Sequence, residues 1–138
     1  MTVVVTRRRV ALGDVDKVLA FYCRFFSWMD DGIAELLHAL GHPLSGLLHA
    51  GYGMPVVDTR CRYERPVALD DVVQLQTAVV AVRRTSFDIG HVMTVGGERV
   101  ARSSTTHVWV ARSPELRASP CPTGSAARPP CRRDMRAP

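Results

Sequence analysis

Two carboxylates one residue apart, Asp14 and Asp16, follow Gly13 at a turn, and the apolar residues after them carry helical spacing. A carboxylate at a helix start can serve as nucleophile or general base, because the unpaired N–H groups and the dipole at that end favour negative charge and keep the group ionised. On spacing alone, a plain helix cap contributing about 1 kcal/mol is the alternative for Asp16. Asp14 is the second carboxylate, and its expected role is to fix the turn. Arg83 and Arg84 stand side by side between two strand-like segments. Guanidinium groups bind phosphate through a planar fork, so the pair suits a phosphate-bearing ligand; a solvated bend is the alternative.

Other chemistries lack their residues. His38 and His42 have the spacing of a helical metal pair, but no HExxH glutamate or third ligand accompanies them, so no metal is expected. His91 and His107 fall in strands and read as structural. No GxSxG elbow, P-loop or dinucleotide glycine motif occurs, and Cys23 lies in the helix without a patterned base. The cysteines at 23, 61, 121 and 131 form no CxxC pair, which argues against a zinc ribbon or a disulfide scaffold.

The elements that must position these residues follow from periodicity. Val3 to Leu12, rich in β-branched side chains and arginine, reads as a strand. From Asp16 onward Val18, Tyr22, Phe25, Met29, Ile33, Leu36 and Leu40 recur at steps of three and four, which predicts one long amphipathic helix. Asp16 is placed at or just before its N-cap, Gly41 with His42-Pro43 is its stop, and Gly32 is a candidate kink. The neighbouring Leu19, Phe21, Phe26, Trp28 and Leu37 widen the apolar stripe, so the helix must be wrapped on several sides. After a loop over Leu44 to Gly53 the period becomes two: Pro55 to Arg65, Val72 to Val82, Phe87 to Val95 and, beyond the Gly96-Gly97 turn, Glu98 to Ala111. The expected fold class is α+β, an antiparallel sheet wrapped around one long central helix.

A chain of 138 residues supports one domain with a core. Its 46% hydrophobic and 22% charged residues are ordinary for a globular protein. The net charge of +5 is concentrated beyond Ser113, where five arginines face two acids and six of the nine prolines gather. The expected division is a folded domain over 1–112 and a disordered basic tail over 113–138. Without interleaved aromatics the tail is not read as a nucleic-acid binder. No apolar run approaches the roughly 18 residues of a membrane span, and the start lacks a signal-peptide core, so no membrane contact and a cytoplasmic location are expected.

Three segments together resemble the hotdog-fold thioesterases, specifically the 4-hydroxybenzoyl-CoA thioesterase family. They are Leu12-Gly13-Asp14-Val15-Asp16 with the aromatic stretch Phe21 to Asp30, then Gly53-Met54-Pro55-Val56-Val57 through Tyr63 to Val72, and Arg83-Arg84-Thr85-Ser86-Phe87. They span about residues 3–111 and leave the tail unmatched. The chain departs at Leu19, where the family usually has glycine three residues after the catalytic aspartate.

The resemblance implies a hotdog fold and hydrolysis of an acyl thioester to the free acid. Asp16 would be nucleophile or general base, and the backbone amide of Tyr22 would polarise the carbonyl. Arg83, Arg84 and Ser86 would meet coenzyme A or phosphopantetheine, and Phe21, Gly53, Met54 and Pro55 would line the acyl pocket. No cofactor is implied. The substrate would be an acyl-CoA or an acyl carrier protein, the latter steered by Arg60, Arg62 and Arg65. A homo-oligomer is implied, dimer or tetramer, with the site between subunits. The alternative is a non-hydrolytic acyl-thioester-binding or auxiliary hotdog protein in polyketide or fatty-acid metabolism.

Overall fold

Alternating apolar residues draw five strands into one antiparallel sheet. In the computed structural model, which describes residues 2–17, 19–112 and 116–121, these are β1 (Val4–Arg9), β5 (Val56–Tyr63), β6 (Val72–Val82), β7 (Ser86–Val95) and β8 (Glu98–Val108). Their order across the sheet is β1-β6-β7-β8-β5, so β1 and β5 form the two edges. Short pieces fill the rest: β2 (Val15–Asp16), β3 (Leu19–Ala20), α1 (Arg24–Ala39), α2 (Leu44–His49), β4 (Tyr52–Gly53), β9 (Val110–Arg112) and β10 (Leu116–Ala118).

Helix α1 lies on the inner face of the sheet and buries Phe25, Trp28, Met29, Gly32, Ile33, Leu36 and Leu37, the stripe its spacing predicts. Its first half joins Phe25, Trp28 and Met29 to Val73, Leu75 and Met93. Its second half joins Ile33, Leu36 and Leu37 to Val79, Ile89, Trp109 and Met54. Each large side chain so buried stabilises by roughly 1.5–3 kcal/mol. Between the halves Gly32 lets the helix approach the sheet. A Cβ there would stand 2.3 Å from Thr77 Oγ1 and 2.7 Å from Leu75 Cδ2. The helix runs unbroken through this position, so Gly32 is a contact point rather than a kink. At the far end His42 N–H bonds Leu37 C=O and Gly41 N–H bonds His38 C=O, with Gly41 at φ +79°, the left-handed stop that the sequence announces.

Three expectations change. The helix starts at Arg24, not near Asp16, because Val15–Asp16 and Leu19–Ala20 instead pair as β2 and β3, tied down where Ala20 N–H meets Val67 C=O at 2.6 Å. The stretch read as a loop after Gly41 contains α2, whose Leu47 is buried against the second half of the core. Beyond residue 112, β10 pairs with β9 and Cys121 N–H bonds Arg84 C=O at 2.6 Å, so residues 116–121 belong to the fold. Residues 122–138 of the expected tail lie outside the described residues.

Candidate functional site

The Leu12-Gly13-Asp14 turn is closed by Asp14 itself. Its carboxylate, almost fully buried, accepts the Ala11 N–H at 2.9 Å, and Arg24 Nε stands 4.0 Å from its other oxygen. Asp14 thus fixes the turn, the role its place after Gly13 predicts. Asp16, two residues on, sits exposed in β2 opposite Leu19, and among the described residues its carboxylate has no hydrogen-bond or ionic partner. It is not the cap of α1, as spacing alone proposed: Cys23 holds that position, without a side-chain cap. Lys17 follows at φ 61°, a left-handed conformation costing a side-chain-bearing residue roughly 1–2 kcal/mol. Strain of this kind collects at functional turns.

The turn preceding α1 directs its amides outward. Phe21 C=O accepts the Arg24 N–H at 2.9 Å, and Tyr22 C=O accepts the Phe25 N–H at 3.3 Å. A planar trans peptide sends its N–H opposite to its C=O, so the N–H groups of Tyr22 and Cys23 point away from the helix body. Among the described residues no acceptor meets either. Such unpaired donors at the positive end of a helix attract an anion. Beside them lies a cleft of about 350 Å³ lined by Leu19, Ala20, Tyr22, Phe25, Tyr63, Glu64, Arg65, Pro66 and Val67. The Phe21 ring meets the Tyr22 ring at a tilt of 57°, centroids 4.9 Å apart, but does not line this cleft. Leu19, the departure from the family glycine, does.

The remaining expected site residues sit at the other end of α1. Gly53 closes β4, and Met54 is buried against the second half of the core. The Met54 carbonyl accepts a hydrogen bond from His107 Nδ1 at 2.9 Å. A carbonyl only accepts, so Nδ1 carries the proton and Nε2 accepts the Thr105 hydroxyl at 2.8 Å. Burial lowers the His107 pKa and keeps the ring neutral. Pro55 C=O accepts the Val108 N–H at 3.0 Å.

The Arg83–Ser86 bend adjoins this end. Arg83 grips Asp88 through two bonds, 2.9 and 2.5 Å, and gives its Nε to Ser86 Oγ at 2.9 Å. Arg83 holds the Asp88 pKa below the carboxylate norm, and Thr106 donates to the same carboxylate. Arg83 and Ser86 are therefore spent on each other and on Asp88. Arg84 is exposed, and its guanidinium has no partner among the described residues.

Residues 10–128 match the family model of the thioesterase-like superfamily. The chain belongs to this superfamily. A solved gentisyl-coenzyme A thioesterase, BH1999, is 29% identical, covering 86% of this chain and 96% of its own, with a TM-score of 0.79. The 4-hydroxybenzoyl CoA thioesterase of Pseudomonas sp. strain CBS-3 is 23% identical over 87% of this chain and 94% of its own, at TM-score 0.79. A hypothetical protein of Aquifex aeolicus, AQ1494, is 22% identical over 86% and 93%, at 0.81. The fold is the hotdog fold, and by family the protein is a thioesterase.

The single chain of this thioesterase does not gather the expected site. Asp16, Phe21 and Tyr22 stand at the start of α1, whereas Gly53, Met54, Pro55 and the Arg83–Ser86 bend stand at its end; β5 runs from one group to the other. Two features escaped the sequence. The bond from Tyr63 OH to Tyr22 C=O, 3.0 Å, joins residues 41 apart. The Arg83–Asp88 clasp has only one trace in the sequence, an acid five residues after Arg83. Among the described residues, no helix is long and apolar enough to cross a membrane.

Proposed function

We propose that this thioesterase hydrolyses an aromatic acyl-CoA. The observation that carries the reading is the pair of outward amides of Tyr22 and Cys23 at the start of α1, beside a cleft whose lining includes Tyr22, Phe25 and Tyr63. Donors so placed fit the oxygen of a thioester carbonyl as it becomes negative. Asp16, unpartnered on the neighbouring hairpin, supplies the carboxylate. It either attacks the carbonyl carbon, giving an anhydride that water opens, or takes a proton from attacking water. In both routes the C–S bond breaks, the thiol leaves protonated and the acid is released. The names of BH1999 and of the Pseudomonas enzyme, both specifying aryl-CoA thioesters, support the aromatic class. Arg84 would meet the nucleotide phosphates, with Arg83 holding the bend.

A second copy of the chain completes this site. Strand β5 is exposed on both faces and forms a sheet edge with no neighbour on its outer side among the described residues. Self-pairing about a twofold axis at Thr59 would face Asp58 with Arg60 twice and set like charges opposite each other nowhere between residues 58 and 60. An axis at Cys61 would face Arg60 with Arg62. The Thr59 axis brings Pro55 and Val56 of the second copy alongside the Cys61–Tyr63 end, uniting the two groups of site residues.

Steady-state hydrolysis of benzoyl-type and aliphatic thioesters, each as CoA, pantetheine and carrier-protein derivatives, tests the reading. Aryl-CoA is expected to have the highest kcat/KM. Asp16→Asn and Asp16→Ala are expected to lower kcat at least a hundredfold, and full activity in both would remove Asp16 from the chemistry. Tight binding of every thioester with no turnover would favour the non-hydrolytic alternative.

A further inference from the structure

Helix α1 begins without the usual supports. Its N-cap residue, Cys23, makes no side-chain cap, and no acidic residue stands in the first turn. The first-turn bond from Phe25 N–H to Tyr22 C=O is long, 3.3 Å. An uncapped start frays, and frayed amides do not hold an oxyanion in one place. What grips this turn comes from the sheet. Tyr63, the last residue of β5, donates its hydroxyl to the Tyr22 carbonyl at 3.0 Å. Its ring meets Phe25 edge-on at 4.9 Å and Tyr22 edge-on at 6.4 Å.

The Tyr22 carbonyl and the Cys23 N–H share one rigid peptide plane. Fixing the carbonyl from β5 fixes the Cys23 amide opposite it and, through the Tyr22 backbone torsions, constrains the adjoining Tyr22 amide. We propose that Tyr63 is the positioning residue of the anion-binding turn, its hydroxyl anchoring the Tyr22 carbonyl and thereby holding the Tyr22 and Cys23 amides on the thioester oxygen. The inference rests on the function proposed above. It also makes β5 a mechanical part of the site, since the strand that holds the amides is the strand offered to the second copy.

A donor of this kind acts only while protonated. The titratable groups around the phenol are Tyr22, Cys23 and Cys61, with Glu64 and Arg65 on the same cleft; burial and the neighbouring Cys61 push the phenol pKa up, which keeps the proton on. Oxyanion stabilisation exists in the transition state and not in the bound substrate, so its loss appears in kcat.

The test compares Tyr63→Phe and a chain carrying a difluorotyrosine at 63 with the wild type, using benzoyl-CoA. Tyr63→Phe, which keeps the ring, is expected to lower kcat about tenfold at every pH with KM changed less than twofold. The fluorinated residue is expected to retain kcat near neutrality and to lose it as its more acidic phenol ionises, adding an alkaline limb that the wild type lacks. The ¹⁵N-amide resonances of Tyr22 and Cys23 are expected to shift in Tyr63→Phe, with far-UV circular dichroism unchanged. An unchanged kcat, or a raised KM with kcat intact, overturns the inference. If Tyr63→Phe fails to fold, the fluorinated chain decides: no new alkaline limb overturns the proposal. Loss of activity in Asp16→Asn with full kcat in Tyr63→Phe leaves the proposed function standing and removes only the role of Tyr63.

Discussion

At the scale of single residues, the inner face of the sheet carries polar groups that the helix seals in. His91 is 2% exposed and shares a 3.1 Å hydrogen bond with Thr77, and burial lowers its pKa to about 4. In the unfolded chain a histidine titrates near 6.5. The unfolded state therefore takes up the proton first, and stability present above about pH 6.5 is lost as pH falls toward 4. A shift of this size corresponds to roughly 3 kcal/mol over the full range. Urea denaturation at intervals from pH 7 to pH 4 is expected to show that slope, and His91→Gln is expected to flatten it. Legibility in the sequence was uneven at this scale. Asp14 as the turn-fixing acid followed from the Gly-Asp pair, because such bonds span three residues. In the sequence Gly32 looks only like a candidate kink, because the Thr77 side chain that makes its missing Cβ necessary lies 45 residues away.

At the scale of elements, α1 and the five long strands were legible because their apolar periods of 3.6 and 2 are sustained. The β2–β3 hairpin was not. Val18 falls in step with Tyr22 and Phe25, so the helical period runs backward through a segment that is instead pinned by Val67 and Ala68, contacts no local pattern encodes. Strand β10 was hidden for a different reason: three residues in a proline-rich setting carry no periodicity, and only pairing with β9 defines them. Its contribution is measurable. Truncation after Cys121 keeps every contact described, whereas truncation after Arg112 removes β10, the Ser119–Trp109 backbone bond and the Cys121–Arg84 bond. Calorimetry is expected to show the longer form within a degree or two of the full chain and the shorter about 5 °C or more below it, since 1 kcal/mol moves the Tm of such a domain by several degrees. Equal Tm values would make β10 incidental.

At the scale of the whole molecule, the division of site residues between the two ends of α1 is the main result that the sequence could not foretell. Motif spacing shows which residues are present and not how far apart a folded chain sets them. The proposed pairing of β5 resolves the division and is open to a charge swap. Asp58→Arg faces Arg60 of the partner with a like charge, and Arg60→Asp does the same with Asp58; each is expected to weaken the dimer several-fold at low salt, because exposed pairs contribute only tenths of a kcal/mol and are screened. The double variant restores complementarity only if the axis passes through Thr59. Sedimentation equilibrium of the three variants reads this directly. A double variant no better than the singles would move the axis elsewhere.

Strand β5 separates the carboxylate end of the chain from its arginine end by its full length. Within the proposed pair, each working centre borrows from two polypeptides, so damage at one end and damage at the other need not fall on the same centre. Two alleles, one lacking Asp16 and the other Arg84, would in a mixed pair regenerate one intact centre. Such genetic complementation is unavailable to an enzyme whose chemistry is housed in a single chain.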